Sequence, residues 1–355
     1  MAIAGSKLEL TLARISAPSP AFSAAAQRAF DNKTKPRRSL GRLEDLAVQV
    51  AAIRGRERPD PQTSAVVVVA GDHGIVEEGV SAYPQEVTAQ MLANFAGGGA
   101  AICVLARAAG ARLVVVDAGV KTDLSPAGVL DRRLGPGTSN VTKGPAMSRE
   151  QALAGLEAGI ELAELLADQG VGLIALGDMG IANTAISSAI VAALLQRDPE
   201  DVIGRGTGVD DDGLRRKVTA VRRAIALNAP DPTDPVGVLA AVGGFEHALL
   251  AGLALGGAAV GLPVVLDGFV VGAAALVANR LAPTASAAMI ASHRSPEPGH
   301  AIVLAELGLE PLLDLRMRLG EGSGAALGLQ LIDDALLLLR DMSTFDDAHV
   351  TDAGA

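Results

Sequence analysis

The sequence predicts an α/β protein whose parallel sheet is covered by helices on both faces. Two observations carry that reading. Short β-branched runs recur along the 355 residues, each ending in a small or acidic residue, and alanine- and leucine-rich stretches separate them. Strands buried on both faces read as nearly unbroken hydrophobic runs, and alternation with helices is how such a sheet is built. Composition agrees: 49% of the residues are hydrophobic and 20% charged, enough apolar surface for a large core and too little charge for a disordered chain.

The first elements lie outside this alternation. Residues 8–15 and 43–53 read as helices, joined across a basic turn, Lys33-Thr34-Lys35-Pro36-Arg37-Arg38. Strands are then expected at 65–70, 113–117, 172–176, 263–267 and 287–292, with helices at 152–168 and 184–195 between them and a last apolar helix at 325–339. Residues 248–266 carry no charge and are long enough to span a bilayer, but Gly252, Gly256, Gly257, Gly261 and Pro263 break them into a buried helix, a turn and a strand ending at Asp267. The chain ends are expected to pack together as a small helical domain, residues 1–59 plus 323–355, beside an α/β catalytic domain at 60–322. The tail from residue 344 is expected to be loose.

Charge and cysteine usage exclude several function classes. A net charge of −10 lacks the basic face that nucleic acid needs, although a local basic patch can hold one phosphate. Cys103 is the single cysteine, so neither an internal disulfide nor a thiolate metal cage can form. Lys7, Glu9 and Arg14 interrupt any apolar signal segment. A cytoplasmic protein with no nucleic-acid or membrane partner is expected.

In parallel sheets ligands bind at the carboxyl ends of the strands, so the residues after each strand carry the chemistry. After the first comes Gly71-Asp72-His73-Gly74, where an adjacent Asp and His fit a metal, acid–base work or a carboxylate holding loop amides. Tyr83, the only tyrosine, fits either an aromatic pocket or simple packing. After the third comes Gly177-Asp178-Met179-Gly180-Ile181-Ala182-Asn183-Thr184, a turn whose helix-opening N–H groups attract anions. It is neither a Walker A loop nor a dinucleotide fingerprint. A second glycine loop, Gly204-Arg205-Gly206-Thr207-Gly208, precedes Asp210-Asp211-Asp212 and Lys217, so Arg205 or Lys217 can meet a phosphate. The three aspartates suit Mg²⁺ or simply the opening of a helix. After the last strand, Ser292-His293-Arg294-Ser295-Pro296-Glu297 forms a polar, proline-fixed wall. Finally, Arg318-Leu319-Gly320-Glu321-Gly322-Ser323-Gly324 sets one carboxylate among glycines at the mouth of a helix. Such an acid can favour the helix dipole, or take a proton from something bound.

Taken in order, these segments resemble the nicotinate-nucleotide:dimethylbenzimidazole phosphoribosyltransferase family. The resemblance runs from Ser39-Leu40-Gly41-Arg42-Leu43-Glu44 to Thr344-Phe345-Asp346. It includes Gly71-Asp72-His73-Gly74, residues 81–90, Gly204-Arg205-Gly206-Thr207-Gly208, Gly243-Gly244-Phe245-Glu246, Ser292-His293-Arg294-Ser295 and the Glu321 segment. It implies a Rossmann-like parallel sheet with a small helical domain, and a homodimer whose site is completed across the interface. It also implies transfer of phosphoribose from nicotinate mononucleotide to 5,6-dimethylbenzimidazole in cobalamin biosynthesis, with no cofactor and no metal. Glu321 takes the place of the family's catalytic base. Phosphoribosyl contacts are expected at Gly177, Asp178, Gly180, Asn183, Gly204, Arg205, Gly206, Lys217 and Ser292, and a pocket for the base at Tyr83, Glu86, Met91 and Leu319. Two positions depart from the pattern: Asp178 stands where the family usually has Glu, and Ala182 where it has Gly. Two rival readings remain. One is a metal-dependent phosphohydrolase built on Asp72, His73, Asp117 and His293; the other is a nucleotide-binding protein without catalysis.

Overall fold

The computed structural model describes residues 5–122 and 125–351. Six strands form one parallel sheet: β1 (Ser64–Gly71), β2 (Arg112–Gly119), β3 (Leu130–Asp131), β4 (Leu173–Met179), β5 (Val264–Leu266) and β6 (Met289–Ala291). Their spatial order is β3-β2-β1-β4-β5-β6, so chain direction across the sheet reverses between β1 and β4, the place where such sheets open a crevice. Five strands fall where hydrophobic runs predicted them. The sixth, β3, is two residues long and pairs only Val116–Asp117 of β2, too short to leave a periodic signal.

Strand register creates the crevice. β4 pairs with β1 along its whole length, ending at Val69 opposite Asp178 and Ala70 opposite Met179. Its pairing with β5 stops at Leu176 opposite Leu266. Gly177, Asp178 and Met179 therefore project beyond β5 with one side unpaired.

Side chains alternate along β1 between two cores. Val66 and Val68 pack with Phe30, Leu46, Leu329 and Leu336 on one face, under the helices Pro20–Asp31, Arg42–Arg54, Glu86–Ala96, Ala101–Ala108 and Ser323–Asp341. Val67 and Val69 pack with Leu156, Ile186, Leu249 and Val271 on the other, under Arg149–Asp168, Asn183–Leu195, Phe245–Ala259 and Phe269–Leu281. The uncharged stretch at 248–266 is thus a buried helix followed by β5, as its glycines indicated. Among the described residues, one other stretch, Glu86–Ala108, is long and apolar enough to cross a bilayer by length and composition alone; it is two helices, with Leu92, Phe95, Ile102 and Ala106 turned into the core.

Helices from the two chain ends do meet: Arg42–Arg54 packs on both Pro20–Asp31 and Ser323–Asp341. They share their core with the sheet, while the first helix, Lys7–Arg14, lies on the opposite face with Leu8 in that core. The basic turn is structural. Lys33 Nζ reaches the carbonyls of Arg340 and Met342 at the end of the last long helix, and Lys35 pairs with buried Glu44 at 2.8 Å. The tail is tied down further than expected. Thr344 caps a short helix, Phe345–Ala348, and Thr34 N–H donates to the Ser343 carbonyl. Residues 352–355 lie outside the described residues.

Candidate active site

The crevice beyond β4 and β5 opens into a cleft of about 350 Å³. Its walls come from the ends of β4, β5 and β6, namely the Asp178–Thr184 turn and residues 268–270 with 293–297, and from two loops between helices, Gly206-Thr207 and Arg318 to Glu321. Tyr83, Val87 and Met91 close one side.

Glu321 reaches this cleft because three consecutive residues, Gly320, Glu321 and Gly322, adopt left-handed backbone at φ +81°, +63° and +82°. Glutamate is strained there, by roughly 1–2 kcal/mol, whereas glycine is at ease. The turn is held from both sides. Glu321 N–H donates to the Asp178 carbonyl at 3.2 Å. Asp267, at the end of β5, accepts from Gly322, Gly324 and Ala325 N–H at 2.7–3.1 Å, capping the last long helix. Gly177 is where the turn touches the sheet: a Cβ there would lie 2.4 Å from Gly322 N. Glu321 is 6% exposed, and its buried Oε2 has no hydrogen-bond partner. Burial raises its pKa, with Asp267 adding to the effect and the Ile102 N–H opposing it. A carboxylate so placed is a stronger base than one in water.

Asp178 stands beside it on the floor, accepting from Asn183 Nδ2 at 2.9 Å. Burial pushes its pKa well above the usual carboxylate range, and Asp267, Glu246 and Glu321 push it further. Ala182, in the same turn, sits at φ +74°, the conformation for which glycine is the unstrained residue.

Lys217 lies beneath the second glycine loop, fully buried. Its Nζ donates to Thr184 Oγ1 at 2.8 Å and to the Gly204 carbonyl at 3.0 Å. Burial drives its pKa down to about 8, although Glu297 pulls the other way. Glu297 itself accepts the Gly206 N–H at 2.9 Å. His293 is 2% exposed in the cleft wall with Nε2 3.5 Å from Asp267. Burial opposes its charge, but Asp267 outweighs burial and raises its pKa.

Of the sequence-predicted residues, Asp178, Gly180, Asn183, Gly206, Tyr83, Met91, Leu319 and Glu321 line the cleft. Gly177, Gly204 and Lys217 lie directly behind its wall, supporting the Glu321 turn and the glycine loop. Three others are turned away. Arg205 pairs with Asp211 and donates to the Val209 carbonyl at 3.0 Å. Ser292 is fully buried and donates to the Leu266 carbonyl at 2.6 Å. Glu86 is exposed at the start of its helix. Sequence reasoning placed Glu297 and Arg318 only within their segments, without a role of their own, and missed Phe269 and the capping role of Asp267. An acid that ends a predicted strand was the one available signal for Asp267.

The four residues of the metal reading are each engaged elsewhere. Asp117 accepts from the N–H groups of Gly119 and Val120 and from the Ser125 hydroxyl, and Asp72 accepts from Lys121 N–H. His73 pairs with Glu246 and His293 with Asp267. Among the described residues no three His, Cys, Asp or Glu side chains converge as metal ligands.

Known proteins match this architecture along nearly its full length. The family model described as phosphoribosyltransferase covers residues 15–350. The nicotinate-nucleotide:dimethylbenzimidazole phosphoribosyltransferase of Desulforudis audaxviator (strain MP104C) is 52% identical over 347 residues, 98% of each chain. Its counterpart in Roseiflexus sp. (strain RS-1) is 53% identical over the same length and coverage. The crystal structure of CobT from Thermus thermophilus superposes with a TM-score of 0.89 at 49% identity, covering 94% of this chain and 99% of that one. With this sheet order, the Glu321 turn and that degree of similarity, the chain belongs to the nicotinate-nucleotide:dimethylbenzimidazole phosphoribosyltransferase family.

Proposed function

We propose that this chain transfers the phosphoribosyl group of nicotinate mononucleotide to 5,6-dimethylbenzimidazole, giving α-ribazole 5′-phosphate and nicotinate with inversion at the anomeric carbon. The observation that carries the reading is a buried carboxylate with one oxygen left without a partner, Glu321, in the wall of a cleft between a polar floor and an apolar rim. The pyridinium of the donor is already a good leaving group and needs no acid. As its bond to the ribose breaks, positive charge builds on the anomeric carbon. The unprotonated ring nitrogen of the acceptor attacks from the opposite face. Its other nitrogen then becomes acidic, and Glu321 takes that proton before releasing it to water. Holding the two rings on opposite sides of the sugar supplies much of the remaining acceleration.

The phosphate end of the donor suits the Gly206-Thr207 segment, with Lys217 beneath it and Arg318 beside it. The acceptor suits Tyr83, Val87, Met91 and Leu319. Tyr83 and Leu319 line the cleft yet stay 53% and 55% exposed. Val104, close to Ile102, and Leu315, on the Leu319 segment, are similarly bare. An apolar rim of this kind supports a homodimer in which the second subunit covers the mouth. A particle of twice the 35.8 kDa chain mass is expected by light scattering; a monomer at working concentration would overturn that part. A small-molecule reaction of this kind supports a cytoplasmic location.

The direct experiment is incubation of the purified protein with both substrates. Free nicotinate and α-ribazole phosphate are expected in equal amounts. A donor that binds and survives intact after the acceptor is added would establish the non-catalytic reading instead.

A further inference from the structure

Under the cleft floor, where β1 and β4 end, lies charge that the transfer chemistry does not use. Glu246 is fully buried between two fully buried histidines, with His73 Nε2 at 2.9 Å and His247 Nδ1 at 2.7 Å from the same carboxylate oxygen. Burial alone would raise the pKa of Glu246, but the two rings outweigh it and hold the carboxylate well below its usual range. Glycines from three segments make room for the cluster. A Cβ on Gly71 would lie 2.7 Å from Glu246 Oε2, one on Gly244 2.6 Å from the same atom, and one on Gly180 3.1 Å from His73 Nε2. This space accounts for glycines in two of the sequence motifs, Gly71-Asp72-His73-Gly74 and Gly243-Gly244-Phe245-Glu246. Burying ions costs more than well-packed apolar side chains would, so a fold that encloses them gains something other than stability.

The contacts lead toward the cleft. His247 Nε2 meets Ser187 Oγ at 2.8 Å, and that hydroxyl donates to the Asn183 carbonyl at 2.9 Å. Asn183 Nδ2 donates to Asp178 at 2.9 Å, and the Asp178 carbonyl accepts the Glu321 N–H at 3.2 Å. We propose that His73, Glu246 and His247 form a positioning unit for the catalytic base, acting on Glu321 through Ser187, Asn183 and Asp178. This rests on the transfer reading above. No member of the unit lines the cleft; each fixes the next, and the last fixes the left-handed turn. A displacement of the base by a fraction of an ångström is enough to slow a proton transfer between held partners.

Ser187→Ala removes the one hydroxyl that joins the unit to the floor and disturbs no cleft-lining side chain. The expected result is kcat about tenfold lower, from loss of one buried hydrogen bond, with KM for both substrates within about twofold and an unchanged fold. A kcat within twofold of wild type overturns the proposal. Combined with His247→Gln, Ser187→Ala should cost little beyond the slower single variant, because both cut one path; losses that multiply fully overturn it. A second readout needs no turnover. In protein labelled with ¹⁵N-histidine, Asp178→Asn should move the His247 ring resonances, which lie at the far end of the chain of contacts. Unmoved resonances overturn the proposal even if Ser187→Ala fails to fold. A wild-type protein that does not convert the substrates would sink the transfer reading and leave this spectrum to judge the contacts.

Discussion

The floor and the rim of the cleft are built by different means. Asp178, Asn183, His293, Glu297 and Glu321 form a floor in which no residue is more than 8% exposed. Each of these side chains has at least one polar contact within the fold, while one atom each of His293, Glu297 and Glu321 is left without a partner, so the floor is positioned before substrate arrives yet keeps groups free to meet it. Tyr83 and Leu319 form a rim more than half exposed and apolar. Its contribution scales with the area that a ligand or a second subunit covers. The floor handles the sugar phosphate and the proton, where position decides the rate. The rim handles a flat heterocycle, where fit decides affinity.

Substitutions can break or sharpen this division, and the largest effect belongs to the floor. Glu321→Gln should lower kcat by on the order of a hundredfold or more with little change in either KM. Its unfolding midpoint should not fall, because the change removes a buried charge that has one oxygen without a partner. Steady-state kinetics with thermal unfolding checks both, and turnover near wild type would move the base elsewhere. Next comes pH. The raised pKa of Glu321 means that kcat/KM falls on acidification at a pH above the ordinary carboxylate range, as the base becomes protonated. On the alkaline side Lys217 loses its charge near pH 8, so the donor KM should climb roughly tenfold above that pH while kcat holds. The folded protein gives up this proton more readily than the unfolded chain does. Lys217 therefore makes stability rise with pH between about 8 and 10.5, and its penalty is fully present below that window. Lys217→Met should abolish the alkaline rise in KM; a rise that survives assigns it to another group.

The rim should respond more weakly and to the acceptor alone. Leu319→Ala is expected to raise the dimethylbenzimidazole KM about threefold, in keeping with a half-exposed side chain, with the donor KM unmoved. A shift in the donor KM instead would erase the distinction between the two regions. The smallest effect tests backbone strain in the floor. Ala182→Gly relieves a left-handed alanine, partly offset by the greater freedom of glycine in the unfolded chain, for a net gain of about 0.5–1 kcal/mol. Urea unfolding at constant slope measures it, and a lower midpoint would refute the strain.

Most of the fold was legible because strands buried on both faces announce themselves as unbroken apolar runs; β3 was silent because two residues carry no period. The Glu321 segment was legible because its glycines reported a turn. The sequence also showed which loops reach the strand ends, but not which side chains on them turn inward. Arg205 is the clearest case. Its position on a glycine loop suggested phosphate, yet Asp211, six residues on, captures it. Ser292 and Glu86 show the same limit: the Leu266 carbonyl takes the Ser292 hydroxyl, and the helix that begins at Glu86 leaves it in solvent. The capping role of Asp267 escaped notice because its three amide partners lie 55 to 58 residues away in the chain.

The left-handed glutamate between two left-handed glycines also bears on how this protein can be improved. Glycine at position 321 would relax the backbone and remove a buried carboxyl group with an oxygen left unpaired at once. A laboratory selection that rewarded heat resistance alone would drift toward that replacement, and its most durable survivors would be inert.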